Sequence, residues 1–321
     1  MAVTRRAVCL FTDGRYAAQA AQEVPDAKVQ IVASSPSVAA VEWLAAQPGI
    51  DAAGFDPTKT TVADLARWRA ALPAKLRRSF LTALAAPLVE PLRWVKDEDE
   101  LSLIKDAALL GCKLFDHILT VIRPGIAEFE VAAELEFKAR RLGAEGMSFE
   151  TIVASGVRSS LPHGRATAAP LPRRGFLTLD FGIILKGYCS DMTRTVYLGR
   201  PKQNDRNIYA TVLEAQETAV AAVAAGVSCG DVDEAARGVL RKAGYAEAFS
   251  HSTGHGVGLE IHESPRIGAA QTVRLQPGMV VTIEPGVYFA GRFGIRIEDM
   301  VAVTRSGAQV LTPATKTLIE L

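Results

Sequence analysis

Apolar positions in the first part of the chain follow two different periods. Short apolar runs, such as residues 8–11, alternate with alanine-rich stretches of helical spacing at residues 38–47 and 62–72. This mixture is typical of a small α/β domain. We therefore expect an amino-terminal α/β domain over residues 1–93 and a second domain over residues 94–321.

A helix start signal opens the second domain. Asp97 can cap a helix, and Glu100, three residues later, can complete a capping box. Apolar residues then keep helical spacing over residues 101–119, before a Pro-Gly pair at residues 124–125 ends the element. A long helix is predicted here, followed by a second one over residues 128–142.

The rest of the chain passes from strand patterns to helix patterns and back to strands. Strands are predicted at residues 151–154, 176–184, 188–198, 280–283 and 295–303, and helices at residues 204–225 and 232–243. Gly226 and Gly244 follow these two helices and are typical helix stop signals.

Two apolar segments on either side of Lys186-Gly187 predict a β-hairpin with a two-residue turn. In that register position 180 lies opposite position 193, and Asp180 and Asp191 become diagonal neighbours on one face. Two carboxylates that converge in an apolar sheet repel each other unless a cation compensates them, which a metal pair would do. The alternative is that one carboxylate faces solvent and the other forms a structural ion pair with Arg194.

Further candidate metal ligands follow downstream. Three of the five histidines, His251, His255 and His262, fall close together, and His255 stands between two glycines. Glu284 and Glu298 lie inside β-branched runs, where an unpaired charge is costly. One histidine and four carboxylates form an oxygen-rich donor set that suits manganese or cobalt in two-metal hydrolysis better than structural zinc.

Charge and cysteine usage narrow the function classes. The 36 basic residues nearly balance the 35 acidic ones, so no net field recruits nucleic acid or an anionic membrane. The four cysteines form no CxxC pair, which indicates free thiols in a reducing compartment. The apolar run at residues 7–11 is too short for a signal sequence. We expect a cytoplasmic protein that acts on a small or peptide-like partner.

Several motifs resemble those of a known family. They are Asp180-Phe-Gly, Gly187-Tyr-Cys-Ser-Asp-Met-Thr-Arg-Thr195, Thr253-Gly-His-Gly-Val-Gly-Leu259, Ile261-His-Glu263, Ile283-Glu-Pro-Gly286 and Ile295-Arg-Ile-Glu-Asp299. Their order and spacing are similar to those of the pita-bread metallopeptidases, which include methionine aminopeptidase, aminopeptidase P and prolidase, with creatinase as a metal-free relative. The resemblance implies an α+β pita-bread catalytic domain after the small amino-terminal domain.

The resemblance also implies a site for two divalent metal ions, with manganese expected and cobalt or zinc as alternatives. The implied ligands are Asp180, Asp191, His255, Glu284 and Glu298, of which Asp191 and Glu298 would bridge both ions. His163 and His262 would bind the substrate and stabilise negative charge on its carbonyl oxygen, while Glu284 would carry a proton to the leaving nitrogen. The implied reaction is hydrolysis by attack of a metal-bridging hydroxide.

The amino-terminal domain favours the proline-specific branch, because methionine aminopeptidases of this fold generally lack one. We expect cleavage of Xaa-Pro bonds in dipeptides, as by prolidase, or in longer peptides, as by aminopeptidase P. Arg296 could pair with a substrate carboxylate, which would favour dipeptides, or be structural. The competing functions are a catalytically silent peptide-binding protein of this fold and a metal-independent, creatinase-like amidinohydrolase.

Two further expectations come from the resemblance. Relatives carry a strand and a helix before the segment that matches residues 8–16, so either the reading frame starts late or the amino-terminal domain is shortened. Because this domain joins the dimer in many relatives, we expect a homodimer with a proline-containing peptide as its substrate.

Overall fold

A computed structural model describes residues 1–321 and divides them into two compact units, Met1–Leu88 and Val89–Leu321. None of the helices is both long enough and apolar enough to span a lipid bilayer. All four cysteines are free and buried, as their spacing predicts.

The amino-terminal unit contains two small sheets and three helices. In chain order its elements are β1 (Ala2–Val3), β2 (Val8–Thr12), α1 (Ala17–Glu23), β3 (Lys28–Ile31), α2 (Pro36–Ala45), β4 (Ala53–Phe55), α3 (Val62–Ala71) and β5 (Leu81–Ala83). β2 pairs parallel with β3, and β4 pairs parallel with β5. A helix lies between the strands of each parallel pair, because such strands need a crossover connection. The predicted α/β character is confirmed.

The second unit begins with helices and continues with strands. Its elements are α4 (Glu90–Trp94), α5 (Glu98–Leu119), α6 (Glu128–Arg141), β6 (Gly146–Met147), β7 (Ile152–Ser155), β8 (Gly175–Phe181), β9 (Ile183–Leu185), β10 (Tyr188–Cys189), β11 (Met192–Leu198), α7 (Gln203–Ala222), α8 (Cys229–Lys242), β12 (Gly254–Gly256), β13 (Glu263–Ile267), β14 (Val280–Ile283), β15 (Gly286–Phe289), β16 (Phe293–Arg296), β17 (Asp299–Val303) and β18 (Ala308–Val310). The four helices predicted in this unit are confirmed, with ends that differ by a few residues.

Two sheets with a helix pair on each form the body of this unit. One sheet has the order β11-β8-β7, and its apolar side packs against α5 and α6. The other has the order β13-β12-β14-β17-β18 and packs against α7 and α8. Burial of these apolar faces holds each helix pair to its sheet. The predicted ligands lie in these strands or at their ends.

The hairpin before β11 has the predicted register. Leu185 pairs with Tyr188 across a two-residue turn, and Lys186 and Gly187 both have positive φ, 50° and 81°. Positive φ at both central residues matches the twist of the strands they connect. Thr193 therefore lies opposite Asp180, as predicted.

Three predicted strands are nevertheless interrupted, and there the sequence prediction is wrong. Residues 176–184 form β8 and β9, residues 188–198 form β10 and β11, and residues 295–303 include part of β16 and all of β17. At the first break Ser190 Oγ accepts a hydrogen bond from Ile183 N at 3.1 Å. A Cβ on Gly182 would lie 1.8 Å from the carbonyl oxygen of Ser190, so only glycine permits this approach. Asp191 and Glu298 stand at two of these breaks.

Candidate metal centre

Predicted ligands from separate elements meet in one buried cluster. The ligand atoms of Asp191, His255 and Glu298 lie within 4.8 Å of one another. His255 Nε2 is 3.5 Å from Asp191 Oδ2 and 3.6 Å from Glu284 Oε1. His255 belongs to β12, Glu284 directly follows β14, and the other two residues stand at strand breaks. The fold thus gathers three of the four predicted carboxylate ligands around the imidazole of His255.

The imidazole of His255 is held in its neutral form. Its Nδ1 lies 3.1 Å from the carbonyl oxygen of Gly256, which can only accept a hydrogen bond, so Nδ1 carries the proton. Nε2 then keeps its lone pair and faces Asp191 and Glu284. Burial lowers the pKa of His255 to about 4, so the ring is neutral at neutral pH. Neutral histidine is the form that binds metal ions.

Of the carboxylates around this imidazole, Asp191 and Glu298 are buried and Glu284 is half-buried. Burial raises the pKa of Asp191 well above its ordinary value, and neighbouring carboxylates, Glu298 foremost, raise it further. Burial and the charge of Glu298 likewise raise the pKa of Glu284. Burial raises the pKa of Glu298 to about 8, with Asp180 as the next cause. Protons are favoured on these groups because too little positive charge lies nearby.

Asp180 reaches the same site from β8 and is paired with a buried arginine. Arg296 Nη2 donates to Asp180 Oδ2 at 2.6 Å, whereas Asp180 Oδ1 is buried and has no hydrogen-bond partner. The guanidinium also donates to Thr193 Oγ1 at 3.1 Å and to the carbonyl oxygen of Pro162 at 3.0 Å. Arg296 is only 3% exposed, and its hydrogen bonds go to protein groups. This agrees with a structural role for Arg296 rather than with pairing to a substrate carboxylate.

A chain of hydrogen bonds leads from Arg296 to His251. Arg296 Nη1 donates to Tyr288 Oη at 2.6 Å, and Tyr288 Oη lies 2.9 Å from His251 Nε2. His251 Nδ1 lies 2.8 Å from the carbonyl oxygen of Ser252, so Nδ1 carries the proton and Nε2 accepts from the tyrosine hydroxyl. Burial lowers the pKa of His251 to about 4. This histidine is therefore a neutral acceptor.

The two predicted substrate-side histidines stand at the exposed side of the centre. The ring of His262 lies 4.4 Å from that of His255, in an edge-to-face arrangement. Burial lowers the pKa of His262, and the neighbouring His163 lowers it further. His163 and His262 are both exposed, unlike the buried carboxylates.

A cavity of about 330 Å³ adjoins His251. Arg237 and Arg266 both line it. Arg237 is already engaged, because its Nε donates to Asp233 Oδ2 at 2.8 Å, whereas the side chain of Arg266 is exposed. The cavity therefore places the guanidinium of Arg266 near His251.

The donor set of the centre fits divalent metal ions. Asp180 Oδ1 is a buried acceptor without a donor, which is costly unless a cation or proton satisfies it. Of the buried guanidinium groups only that of Arg296 forms ion pairs with these four carboxylates, at 2.6 Å to Asp180 and 3.9 Å to Glu284, while Arg194 pairs with Asp299 and acts on Glu298 only as a nearby charge. Carboxylate oxygens with one imidazole are ligands that manganese and similar ions accept. Bound cations would offset the repulsion that raises these pKa values.

The ion pair considered for Asp180 or Asp191 with Arg194 does not form. Both aspartates are buried, and Arg194 Nη2 donates to Asp299 Oδ1 at 2.8 Å instead. Alternate residues of a strand face opposite sides of its sheet, so Arg194 points away from the side on which Thr193 contacts Glu298. The predicted alternative of an ion pair with Arg194 is therefore wrong, because the Arg194 side chain lies on the other face of the sheet.

Two family profiles match the chain along most of its length. Residues 102–305 match the profile described as Metallopeptidase family M24, and residues 1–95 match the Creatinase/Prolidase N-terminal domain. The chain belongs to metallopeptidase family M24.

Relatives of this M24 metallopeptidase include named peptidases. An Xaa-Pro dipeptidase of Pyrococcus furiosus is 42% identical over 232 residues, which cover 72% of this chain and 67% of the relative. The structure of an Xaa-Pro dipeptidase from Bacillus anthracis has a TM-score of 0.92 at 40% identity and covers 97% of this chain and 86% of that one. An X-Pro aminopeptidase from Thermotoga maritima has a TM-score of 0.90 at 36% identity, with coverage of 99% and 89%. The predicted fold and the metal-dependent peptidase class are confirmed.

Two residues near the metal centre of this M24 metallopeptidase were not predicted as site residues. The sequence marks His251 only as a member of the histidine cluster. A signal existed for His251, because it stands four residues before His255 in the same glycine-rich segment. Tyr288 gives no such signal, since its contact with Arg296 depends on the pairing of β15 with β16.

Proposed function

We propose that this M24 metallopeptidase cleaves Xaa-Pro peptide bonds with two divalent metal ions. The proposed ligands are Asp180, Asp191, His255, Glu284 and Glu298. The observation that carries the proposal is the neutral His255 Nε2 facing carboxylates whose pKa values are raised by burial and by the charges of neighbouring carboxylates. The relatives named Xaa-Pro dipeptidase and X-Pro aminopeptidase support the substrate class.

Each residue of the centre has a chemical task in this proposal. The ions, when bound, supply a water activated as a nucleophile near neutral pH. Glu284 accepts a proton and returns it to the leaving nitrogen, a role that suits a carboxyl whose pKa is raised by burial. His163 and His262 donate hydrogen bonds to the substrate carbonyl oxygen as negative charge develops on it. Arg296 orients Asp180 through their 2.6 Å contact.

A preference for dipeptides is part of the proposal. A dipeptide has its free carboxylate one residue beyond the scissile bond, so a cation near the site would recognise it. Arg266 lines the cavity that also contains His251, and its guanidinium can bind a carboxylate with two hydrogen bonds. Longer peptides place no carboxylate there. Binding of this carboxylate by Arg266 would favour dipeptides over longer peptides.

Manganese is the proposed ion, because hard oxygen ligands outnumber the single imidazole, and cobalt or zinc are the alternatives. The homodimeric state and the cytoplasmic location stay predictions from the sequence. Size-exclusion chromatography with light scattering tests the homodimer.

The central test is a chromatographic assay of the metal-loaded protein with three substrates. An Xaa-Pro dipeptide, an Xaa-Pro-Xaa tripeptide and a Met-Ala-Xaa peptide are compared at equal concentration. We expect cleavage of the dipeptide first, loss of activity on chelation, and recovery with added manganese. Cleavage of the Met-Ala peptide alone contradicts the proline specificity. Absence of all turnover points to a silent binding protein, and creatine hydrolysis that survives chelation points to an amidinohydrolase.

The role of Arg266 is tested separately with Arg266→Met. Loss of a charge-assisted hydrogen bond should raise the KM for the dipeptide by about tenfold or more. The KM for the tripeptide should stay within about twofold, since its carboxylate lies elsewhere. Equal effects on both substrates would assign Arg266 a structural role.

A further inference from the structure

Glu128 is a fully buried carboxylate outside the metal centre, at the first position of α6. Its Oε1 accepts hydrogen bonds from Ser155 N and Ser155 Oγ, both at 2.9 Å. Its Oε2 accepts from Arg158 Nε at 2.9 Å, from Thr167 N at 3.2 Å and from Thr167 Oγ1 at 2.8 Å. Hydrogen bonds to an ionised acceptor are among the stronger ones in proteins. One carboxylate therefore ties three residues of a single segment together.

These donors lie on both sides of His163. Ser155 and Arg158 precede it and Thr167 follows it, so Glu128 holds both ends of the loop 155–167 that carries His163. Arg158 Nη2 also donates to the carbonyl oxygen of Arg165 at 2.7 Å, which closes the loop across its base. Hydrogen bonds to Glu128, the first residue of α6, therefore fix the conformation of the loop around His163.

The loop is packed closely next to His163 itself. A Cβ on Gly164 would lie 2.8 Å from the Cβ of Ala154, which real side chains do not tolerate. Phe129 N, beside Glu128, donates to the carbonyl oxygen of Thr167 at 3.0 Å. Backbone contacts therefore reinforce the carboxylate at the same place.

The opposite side of this loop faces the metal centre. The carbonyl oxygen of Pro162, which directly precedes His163, accepts from Arg296 Nη1 at 3.0 Å. Ser159 Oγ accepts from Gly294 N at 2.9 Å. Arg296 is the arginine that pairs with Asp180. The loop is therefore held by Glu128 on one side and by a residue of the centre on the other.

We propose that Glu128 is a positioning residue for the peptidase reaction, acting by fixing the loop that presents His163 to the substrate. This inference rests on the proposed function. Glu128→Gln keeps the size of the side chain, but the amide nitrogen cannot accept hydrogen bonds. The donors that face the amide nitrogen then lose their acceptor. The loop 155–167 becomes less well ordered, and His163 spends part of its time away from its position. Misplaced or unsupported site residues commonly cost about 10- to 100-fold in activity.

The experiment is a double-mutant cycle in the full-length, metal-loaded enzyme. Glu128→Gln, His163→Ala and the double variant are compared by kcat and KM on an Xaa-Pro dipeptide, with metal content measured for each. Glu136→Gln is the matched control, because Glu136 lies on the same helix and accepts only from Thr151 Oγ1 at 3.1 Å. We expect Glu128→Gln to lower kcat/KM by about 10- to 100-fold with metal content unchanged, and the double variant to equal His163→Ala.

Three results would overturn the inference. One is an unchanged kcat/KM for Glu128→Gln together with a lower Tm, which is what a merely structural residue gives. The second is an equal fold-loss from Glu128→Gln with and without His163, and the third is a full kcat/KM in His163→Ala. If the wild-type protein cleaves no Xaa-Pro peptide at all, the proposed function fails first, before the variants are compared.

Thr167→Val provides a second route if Glu128→Gln does not fold. It removes the 2.8 Å hydroxyl bond to Glu128, together with the longer 3.2 Å bond that Thr167 Oγ1 accepts from Ala169 N, and conserves volume. A loss of about threefold in kcat/KM is expected, from one net hydrogen bond, and it should vanish in the His163→Ala background. A loss that persists there would contradict the inference.

Discussion

Arg296 and Asp180 form a buried ion pair at 2.6 Å inside a centre that otherwise consists of carboxylates and one neutral imidazole. One guanidinium cannot neutralise four carboxylates, and Asp180 Oδ1 is left without a partner. The carboxylates therefore repel one another when they are ionised, and bound cations would offset this repulsion.

The metal-free protein should lose stability as the pH rises. Burial raises the pKa of Glu298 to about 8, whereas an unfolded glutamate titrates near its ordinary value of about 4.3. A carboxyl with a raised folded-state pKa stabilises the fold fully below its unfolded pKa, and this contribution is lost as the pH rises through the folded pKa. The Tm of the chelated protein should fall between about pH 5 and pH 8.

Scanning fluorimetry with and without chelator checks this pH dependence. The metal-loaded protein should lack the fall, because the cations compensate the ionised carboxylates. Glu298→Gln should reduce the fall in the chelated state, since the substituted group no longer titrates. A chelated wild-type protein that is equally stable at both ends of the range would contradict the proposed charge deficit.

Replacing Glu284 should abolish most turnover. Glu284→Gln removes the group that takes and returns the proton, and proton transfer of this kind typically contributes about 10²- to 10⁴-fold. We expect kcat to fall by at least about 10²-fold. Steady-state kinetics with metal analysis of the same sample measure this, and Glu214→Gln on the exposed side of α7 is the control. A variant with wild-type kcat would remove Glu284 from the mechanism.

Lys96 should be important for stability rather than for chemistry. Its Nζ lies 2.6 Å from Glu263 Oε1, the two side chains are 2% and 6% exposed, and Arg93 binds the other carboxylate oxygen at 2.6 Å. Lys96→Met leaves a buried carboxylate with one partner fewer, so the free energy of unfolding should fall by roughly 3 kcal/mol. Denaturant unfolding measures this.

The double variant Lys96→Met with Glu263→Gln gives the control for that loss. It removes both charges, so it should be more stable than the sum of the single effects implies. Lys105→Met, on the exposed side of α5, should change little. Additive losses in the cycle would mean that the two side chains do not interact in solution.

The capping box of α5 should contribute to stability by itself. Asp97 Oδ1 accepts from Glu100 N at 2.9 Å, and Glu100 Oε2 accepts from Asp97 N at 3.0 Å. Asp97→Ala should lower the free energy of unfolding by about 1 kcal/mol. Asp106→Ala, an exposed change in the interior of the same helix, should have an effect within about 0.5 kcal/mol. Equal effects in denaturant unfolding would refute the capping role.

Features that depend on local interactions could be predicted from the order of the amino acids alone. The capping box at Asp97 follows from two residues three positions apart, and the hairpin at Lys186-Gly187 follows from a turn that needs positive φ. Because strand side chains alternate with a period of two, the turn length also predicted that Thr193 lies opposite Asp180. The ligand residues were predictable because their motifs resemble those of a known family.

The pairing of charged groups that are distant in the chain could not be predicted in this way. Arg194 binds Asp299 rather than a predicted ligand, Arg296 binds Asp180, and Glu128 holds the loop of His163. The partners in these pairs stand between about 30 and 116 positions apart in the chain. No local period encodes such contacts. They form because the packed sheets and helices exclude water, so that each buried charge is stable only beside the partner that the fold brings to it.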